Sequence, residues 1–163
     1  MRWMKEDANP EARFSTMIDL YSLPADFPGY EESRRIPELF RRVEYLETCF
    51  SEDVDDRRFV PYLQLHEFEA LLFADASKFV FAFPDRQGTV DQISAIRSSF
   101  PSPEHIDDGE NTAPSKRIRE VFPDYDKVAF GPVIAAKIGI ETLVRECSHF
   151  AAWIDRLKVP VRP

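Results

Sequence analysis

Glycine and cysteine are both scarce in this chain, and their scarcity limits what the protein can be. Five glycines stand against 13 prolines, which predicts many stiff turns between short elements. The two cysteines, Cys49 and Cys147, lie far apart and lack the paired spacing of a metal site. We therefore expect free, buried thiols that carry no chemistry.

The motifs of several enzyme classes are missing as well. The chain contains no glycine-rich phosphate loop, no G-x-S-x-G and no pair of C-x-x-C motifs, which excludes the classes that depend on them. The segment HEFEA departs from the H-E-x-x-H zinc motif because its last residue is Ala70. FPDYDK superficially resembles the PD…(D/E)-x-K nuclease pattern, but Tyr125 stands where that pattern needs an acid.

Long apolar runs and excess positive charge are also absent. No apolar run approaches the roughly 20 residues of a membrane span, and the N-terminal MRWMKEDANPEARF lacks the apolar block of a signal peptide. These features predict a cytoplasmic protein. The net charge of −8 argues against coating nucleic acid by bulk electrostatics, while specific binding through a local basic strip stays open.

The length and hydrophobic content indicate one folded domain. With 163 residues, 44% hydrophobic residues and 14 phenylalanines, the chain is long enough for one core and too short for two large ones. We expect an α/β domain over residues 1–163, with the sheet in residues 1–75 and mostly helix in residues 76–163.

Residues 59–75, FVPYLQLHEFEALLFAD, are the most informative stretch. An apolar run typical of a buried strand changes to helical periodicity near His66. On such a helix His66 and Glu69 would lie roughly 60° apart, whereas Glu67 and Glu69 would lie roughly 160° apart. Glu69 with His66 is therefore the preferred pair. If the strand instead continued through Glu69, the two glutamates would share a face.

A purely structural interpretation of the same three residues carries about equal weight. Glu67 and Glu69 would then be first-turn acids favoured by the helix dipole, and His66 would be a partly buried hydrogen-bonding residue.

A second candidate position precedes this stretch. Residues 13–21, RFSTMIDLY, predict a strand that ends near Asp19. The C-terminal ends of strands are where open α/β sheets place ligands, although an aspartate there can equally cap a turn. Residues 31–50 predict a helix, broken or restarted at Pro37, whose interleaved Arg and Glu residues are typical of a solvated face.

Basic residues follow in the C-terminal half, where Lys116 lies in a predicted helix start and Lys127 follows an acidic turn. Ordinary charge on a solvent-exposed surface would explain these basic residues. The more specific alternative is a basic strip that faces phosphate. The scattered oxygen ligands Asp19, Glu67 and Glu69, with Asp75 as a further candidate, have the composition that a hard ion such as Mg²⁺ requires.

Four segments of the chain together resemble the domain of unknown function 4276 family of bacteria and archaea: MIDLYSLPADFPGY, LQLHEFEALLFAD, FPSPEHIDDGENTAPSKRI and FPDYDKVAFGP. That resemblance implies a divergent Toprim-like domain, with a partly parallel sheet flanked by helices. The family is similar to the nuclease half of overcoming-lysogenisation-defect proteins and is often encoded beside ATPases of mobile or anti-phage loci.

The resemblance also implies site residues. Asp19 matches the first aspartate of the Toprim Asp-x-Asp pair, and Tyr21 stands where the second would be. Glu69 resembles the acid that opens the later helix, so Asp19 and Glu69 would hold Mg²⁺, which assists phosphodiester cleavage. His66, Glu67, Lys116 and Lys127 fall in family motifs, as groups that assist catalysis or face phosphate.

One departure from the family pattern leads to a second hypothesis. Members usually begin with a strand carrying Val-Glu-Gly, which this sequence lacks, so we expect an N-terminally short domain whose exposed strand edges pair with another chain. The first hypothesis is a Mg²⁺-dependent nuclease acting on nucleic acid in anti-phage defence. The alternative is a catalytically inactive module that binds an ATPase partner or forms a homo-oligomer.

Overall fold

The chain folds into two compact units. The computed structural model describes residues 2–107, 109 and 112–160. Unit 1 consists of residues 1–65 and 152–163, and unit 2 consists of residues 66–151. The predicted α/β class is confirmed, with short parallel strands and a helical C-terminal half. None of the helices in the described ranges has the length and apolar character needed to cross a membrane.

The described residues of unit 1 contain four two-residue strands: β1 (Phe14–Ser15), β2 (Ile18–Asp19), β3 (Phe59–Val60) and β4 (Leu63–Gln64). β1 pairs with β3 and β2 with β4, both in parallel. Phe14 lies opposite Phe59 and Ile18 opposite Leu63, so the two pairings keep one register. Pro61 separates β3 from β4, and since proline has no N–H to donate, the ladder is interrupted there.

The helices that begin in unit 1 are α1 (Arg2–Glu6), α2 (Tyr30–Ser33) and α3 (Leu39–Val54). Pro37 lies between α2 and α3, where the sequence predicted a break. Glu38 begins α3 because its carboxylate accepts hydrogen bonds from the N–H groups of Phe40 and Arg41. The core of this unit joins α3 to the strands through buried aliphatic side chains: Leu20, Leu23, Val43, Leu46, Leu63 and Leu65.

The last part of the final helix belongs to unit 1 and contacts the strands. Trp153 stacks on the buried Tyr62 ring at a centroid distance of 4.6 Å, and its indole N–H donates to Ser15. Arg156 forms a 2.8 Å ion pair with Glu47 of α3. The Glu47 carboxylate also accepts from the Leu63 N–H of β4. This segment is therefore held by both stacking and charge.

Unit 2 begins with 3₁₀ helices rather than the predicted α-helix. The 3₁₀ segments are Phe68–Ala74, Ala76–Phe81, Pro84–Thr89 and Pro103–His105; a further one in unit 1 is Leu20–Ser22. The helix expected to begin near His66 begins at Phe68, and it is a 3₁₀ helix rather than an α-helix; Glu67, directly before it, has extended backbone angles (φ −91°, ψ 155°). Glu69, Ala70, Leu71, Leu72 and Phe73 are all buried, so no exposed face imposes the period of 3.6 residues.

The α-helices of unit 2 are α4 (Val90–Ser98), α5 (Pro114–Val121), α6 (Lys127–Ile138) and α7 (Ile140–Glu146), followed by the first turn of α8 (Ser148–Lys158). Phe122 is fully buried between two phenylalanine rings, stacked on Phe79 at 5.5 Å and on Phe83 at 4.4 Å. These rings join α5 to the 3₁₀ helices. Both cysteines are free, as predicted, although Cys49 is only half-buried.

Candidate functional site

A cluster of buried ionisable side chains lies where the chain leaves β4. His66 is 5% exposed, Glu67 8% and Glu69 3%. A buried carboxylate is costly unless charged or hydrogen-bonding groups compensate it. The contacts that compensate Glu67 and Glu69 come from distant parts of unit 2, and they define the site.

The N-terminus of α5 supplies the first contact. Pro114 and Ser115 occupy its first turn, and the Ser115 N–H donates to Glu67 Oε2 at 2.8 Å. The Ser115 hydroxyl also hydrogen-bonds the Glu67 carboxylate. Proline is well suited to the first helical position, where its missing N–H costs nothing. The Ser115 N–H of this turn therefore points at a carboxylate, as the helix dipole favours.

Lys127, the first residue of α6, supplies the second contact. Its Nζ lies 2.7 Å from Glu67 Oε1 and 3.4 Å from Glu69 Oε2. Asp126 fixes the start of α6, since its carboxylate accepts from the N–H groups of Val128 and Ala129. One ammonium group thus bridges two carboxylates, and the cap immediately before Lys127 sets its position.

Tyr125 completes the surroundings of Glu69. Its hydroxyl lies 3.4 Å from Glu69 Oε1, and the ring is buried. Gly131 of α6 leaves room for it, because a Cβ at that position would lie 3.2 Å from the Tyr125 hydroxyl. Burial and the adjacent Glu69 carboxylate raise the pKa of Tyr125, so the phenol stays a hydrogen-bond donor.

The charges around Glu67 favour its ionised form. Burial raises the pKa of this carboxyl, but the hydrogen bonds from Lys127 and Ser115 together outweigh burial and hold the pKa below its ordinary value. Glu67 is therefore a carboxylate at neutral pH. Buried charged groups gathered at one place are a common property of functional sites.

The structure brings together three of the residues proposed from sequence: Glu67, Glu69 and Lys127. The shared helix face that favoured pairing Glu69 with His66 is not formed, because neither His66 nor Glu67 is helical, so that pairing stays a prediction. Glu67 and Glu69, expected to point apart, instead share the Lys127 ammonium. The extended backbone at Glu67 turns its side chain towards the same cation.

The other candidates occupy different positions. Lys116 is exposed on α5, directly after Ser115. Asp19 ends β2 as predicted, but it belongs to unit 1, so its convergence with Glu69 stays a prediction. Asp75 caps a 3₁₀ helix by accepting from the Ser77 N–H, and it pairs with Lys78 at 3.3 Å. Asp75 therefore has a structural role.

Sequence patterns did not identify Ser115 and Tyr125 as members of the site. They lie 48 and 56 residues from their carboxylate partners, a separation that no local period reports. The Pro-Ser helix start was the available signal, since a first helical turn presents unpaired N–H groups to an anion.

The donor set is compatible with Mg²⁺ in its chemistry. Glu67 Oε1 and Glu69 Oε2 face the same point, which Lys127 contacts, and Mg²⁺ binds proteins through one or two carboxylates while keeping several waters. Among the described residues, no three His, Cys, Asp or Glu side chains group as a metal site. A cation held here would rely on these two carboxylates and share them with the Lys127 ammonium.

Comparison with known families gives a match over nearly the whole chain. The sequence model of the family described as "Domain of unknown function (DUF4276)" matches residues 1–158. The chain belongs to the DUF4276 family. No curated protein and no solved structure matches it. The DUF4276 match extends through both units and includes every residue of the cluster described above.

Proposed function

We propose that this DUF4276 chain is a Mg²⁺-dependent, Toprim-like nuclease domain that cleaves nucleic-acid phosphodiesters, acting in the cytoplasm in defence against phage. The observation that carries the proposal is the contact of one ammonium, that of Lys127, with two buried carboxylates, Glu67 and Glu69, at 2.7 and 3.4 Å. Metal-dependent phosphodiester cleavage uses carboxylates to hold the cation and positive groups to balance phosphate charge.

Each residue of the cluster then has a role. Glu67 and Glu69 hold the cation, and Asp19 is the further ligand expected from the family pattern. The cation, when bound, supplies charge stabilisation and acidifies water. Lys127 faces the phosphate and helps to balance its negative charge. His66 assists proton transfer, and Lys116, exposed one residue after Ser115, contacts the nucleic-acid backbone.

Two neighbouring groups position the carboxylates. The Ser115 N–H holds Glu67 Oε2 at 2.8 Å, which leaves Oε1 for Lys127 and the cation. The Tyr125 hydroxyl lies 3.4 Å from Glu69 Oε1 in the same way. Because each carboxylate is fixed through one oxygen, the other oxygen keeps a defined direction, which is the preorganisation that catalysis requires.

The test is cleavage of supercoiled plasmid, single-stranded DNA and RNA by the purified chain with Mg²⁺ or Mn²⁺. Lys127→Met, Glu67→Gln and Glu69→Gln should each reduce the rate by about 100-fold or more. Lys158→Met and Glu146→Gln are matched controls, since both residues form ion pairs away from this cluster. No cleavage of any substrate with either metal, or equal rates in parent and site variants, would refute the proposal.

A second candidate function is a catalytically inactive module that binds an ATPase partner. The observation that favours it is that Lys127 already balances charge between Glu67 and Glu69, as a structural ion pair does. Under this alternative, an ATPase encoded beside the gene should co-purify with the parent chain and with folded Glu69→Gln alike. Nuclease turnover lost in Glu69→Gln, without a co-purifying ATPase, would exclude it.

A further inference from the structure

The outer face of α6 is apolar from Val128 to Ala136. Residues 128–136, VAFGPVIAA, contain no polar side chain. The inner face is buried through Gly131, Ile134 and Ile138. The outer face is exposed, with Val128 85% and Val133 42% accessible. A helix that is apolar on all sides is normally covered on all sides.

The exposed residues of this outer face form one stripe along the helix: Val128, Ala129, Pro132, Val133 and Ala136. Alanine and proline are small enough for another helix to approach closely, while the two valines provide apolar contact area. At the rise of an α-helix, residues 128–136 give the stripe a length of about 13 Å.

The charged side chains beside the stripe indicate which kind of partner covers it. Asp126 and Lys137 are both exposed, and their separation of eleven positions corresponds to about three helical turns. They therefore project from the same edge of the stripe. They also lie at equal distances from a point between Gly131 and Pro132, close to the middle of the stripe. An antiparallel second copy, related by a two-fold axis at that point, places Asp126 of each copy opposite Lys137 of the other.

We propose that α6 forms an antiparallel, two-fold seam with a second copy of this chain. Val128 of one copy then packs near Ala136 of the other, Pro132 lies close to the axis, and two Asp126–Lys137 pairs close one edge. Lys137 Nζ already lies 4.8 Å from the centroid of the Phe81 ring. That ring is 54% exposed and widens the apolar surface.

The contacts of Asp126 suit this arrangement. Its Oδ1 accepts both capping hydrogen bonds of α6, from Val128 and Ala129, while Oδ2 accepts none from the described residues. Oδ2 can therefore receive the ammonium of Lys137 from the second copy without loss of the cap. The opposed helix dipoles of the two α6 helices add to the attraction. The seam requires neither metal nor nucleic acid, so it does not depend on the proposed nuclease function.

The first experiment is sedimentation velocity of the whole chain over a concentration series. A surface of little more than one helix is at the small end of specific interfaces, so we expect a dimer with a dissociation constant of about 1–100 µM. Val133→Asp should weaken it more than about tenfold, because a charge would enter the apolar seam. Val159→Asp is the matched control, since Val159 is 51% exposed in unit 1, and it should leave the dimer unchanged.

Charge and cross-linking test the antiparallel register. Lys137→Glu sets glutamate against Asp126 and should weaken the dimer about threefold or more, with less effect at high salt. In a Cys49→Ser background, Pro132→Cys should form a disulfide between copies. Val128→Cys alone should not, but mixed with Ala136→Cys it should.

Three outcomes would overturn the seam. These are a monomer at every concentration with circular dichroism that shows a folded chain, a dimer that Val133→Asp leaves intact, and a Val128→Cys disulfide as efficient as that at position 132. A dimer formed through another face would give the second of these results. Membrane or heterologous binding without self-association would give the first.

Discussion

The ammonium of Lys127 lies 2.7 Å from the Glu67 carboxylate, although the two residues are 60 positions apart in the sequence. This ion pair joins the first residue of α6 to the residue that precedes the 3₁₀ helix Phe68–Ala74. The Glu67 side chain is 10% exposed and that of Lys127 36%. The pair is therefore shielded on the acidic side and accessible on the basic side.

Lys127→Met should lower the stability of the fold. The substitution leaves Glu67 and Glu69 as buried carboxylates without their shared cation, and partial solvent access at Lys127 limits the loss to about 1–3 kcal/mol. Urea unfolding monitored by circular dichroism measures the change. The matched control is Lys158→Met, whose pair with Asp155 is exposed and should change stability by less than about 0.5 kcal/mol. Equal effects of the two substitutions would contradict a buried role for Lys127.

Glu67→Gln should make the stability of the protein less dependent on pH in the acid range. The pKa of Glu67 lies below its ordinary value of 4.5, because the hydrogen bonds from Lys127 and Ser115 outweigh burial. A lowered carboxyl pKa stabilises the fold above pH 4.5, and this contribution disappears as the pH falls through the folded-state pKa. The difference in unfolding free energy between the parent chain and Glu67→Gln should therefore shrink below pH 4.5.

Unfolding in urea at a series of pH values checks this sign. Glu141→Gln serves as the control, since Glu141 is exposed in the first turn of α7, and its difference from the parent should stay small throughout. If the difference in unfolding free energy between the parent chain and Glu67→Gln grew on acidification, burial would dominate the pKa of Glu67.

The sequence correctly predicted those ends of strands and helices that depend on short-range patterns. Alternation towards Ile18 located the end of β2 at Asp19, and Pro37 separated α2 from α3 as expected. These features follow from side-chain alternation and from proline geometry, both of which act over a few residues. The α/β class followed from them.

The type of helix after Glu67 could not be predicted in the same way. Leu71 and Leu72 fit a helical stripe, but Ala70 and Phe73 are buried as well, and a segment buried on every side has no face for periodicity to reveal. The wrong helix start also separated Glu67 from Glu69, which the structure brings together. The presence of Ser115 and Tyr125 in the site depends on tertiary packing alone, which local sequence patterns do not report.

Glu104→Ala should destabilise unit 2 at the start of α8. Glu104 is fully buried, and its carboxylate accepts from the N–H groups of His149 at 3.1 Å and Phe150 at 2.9 Å. Removing it leaves two helix N-terminal donors buried without an acceptor, at a cost of about 2–4 kcal/mol. The midpoint of urea unfolding reports this loss, and Glu104→Gln should retain part of the stability because its amide keeps one acceptor oxygen.

Glu141→Ala is the matched control for that experiment, as an exposed first-turn glutamate of α7. It should cost only a few tenths of a kcal/mol, about what a helix dipole contributes at the surface. A Glu104→Ala midpoint equal to that of Glu141→Ala would rule out the capping role of Glu104.

Gly29→Ala should destabilise unit 1 through both backbone and packing. Gly29 has a φ of +74°, and a Cβ there would lie 2.6 Å from the Cys49 sulphur. The left-handed backbone costs about 1 kcal/mol for alanine, and the close contact adds about 1–3 kcal/mol as overpacking. Thermal and urea unfolding should both show the combined loss.

Two further substitutions separate these contributions to the Gly29→Ala loss. Gly88→Ala meets nothing within 4 Å and has no positive φ, so it should be neutral or slightly stabilising. Cys49→Ala in the Gly29→Ala background removes the sulphur that the new methyl group meets at 2.6 Å. It should recover part of the packing loss, while the backbone loss and the 3.0 Å approach to the Tyr45 ring remain. No recovery in the double variant would show that the Cys49 sulphur does not contribute to the loss.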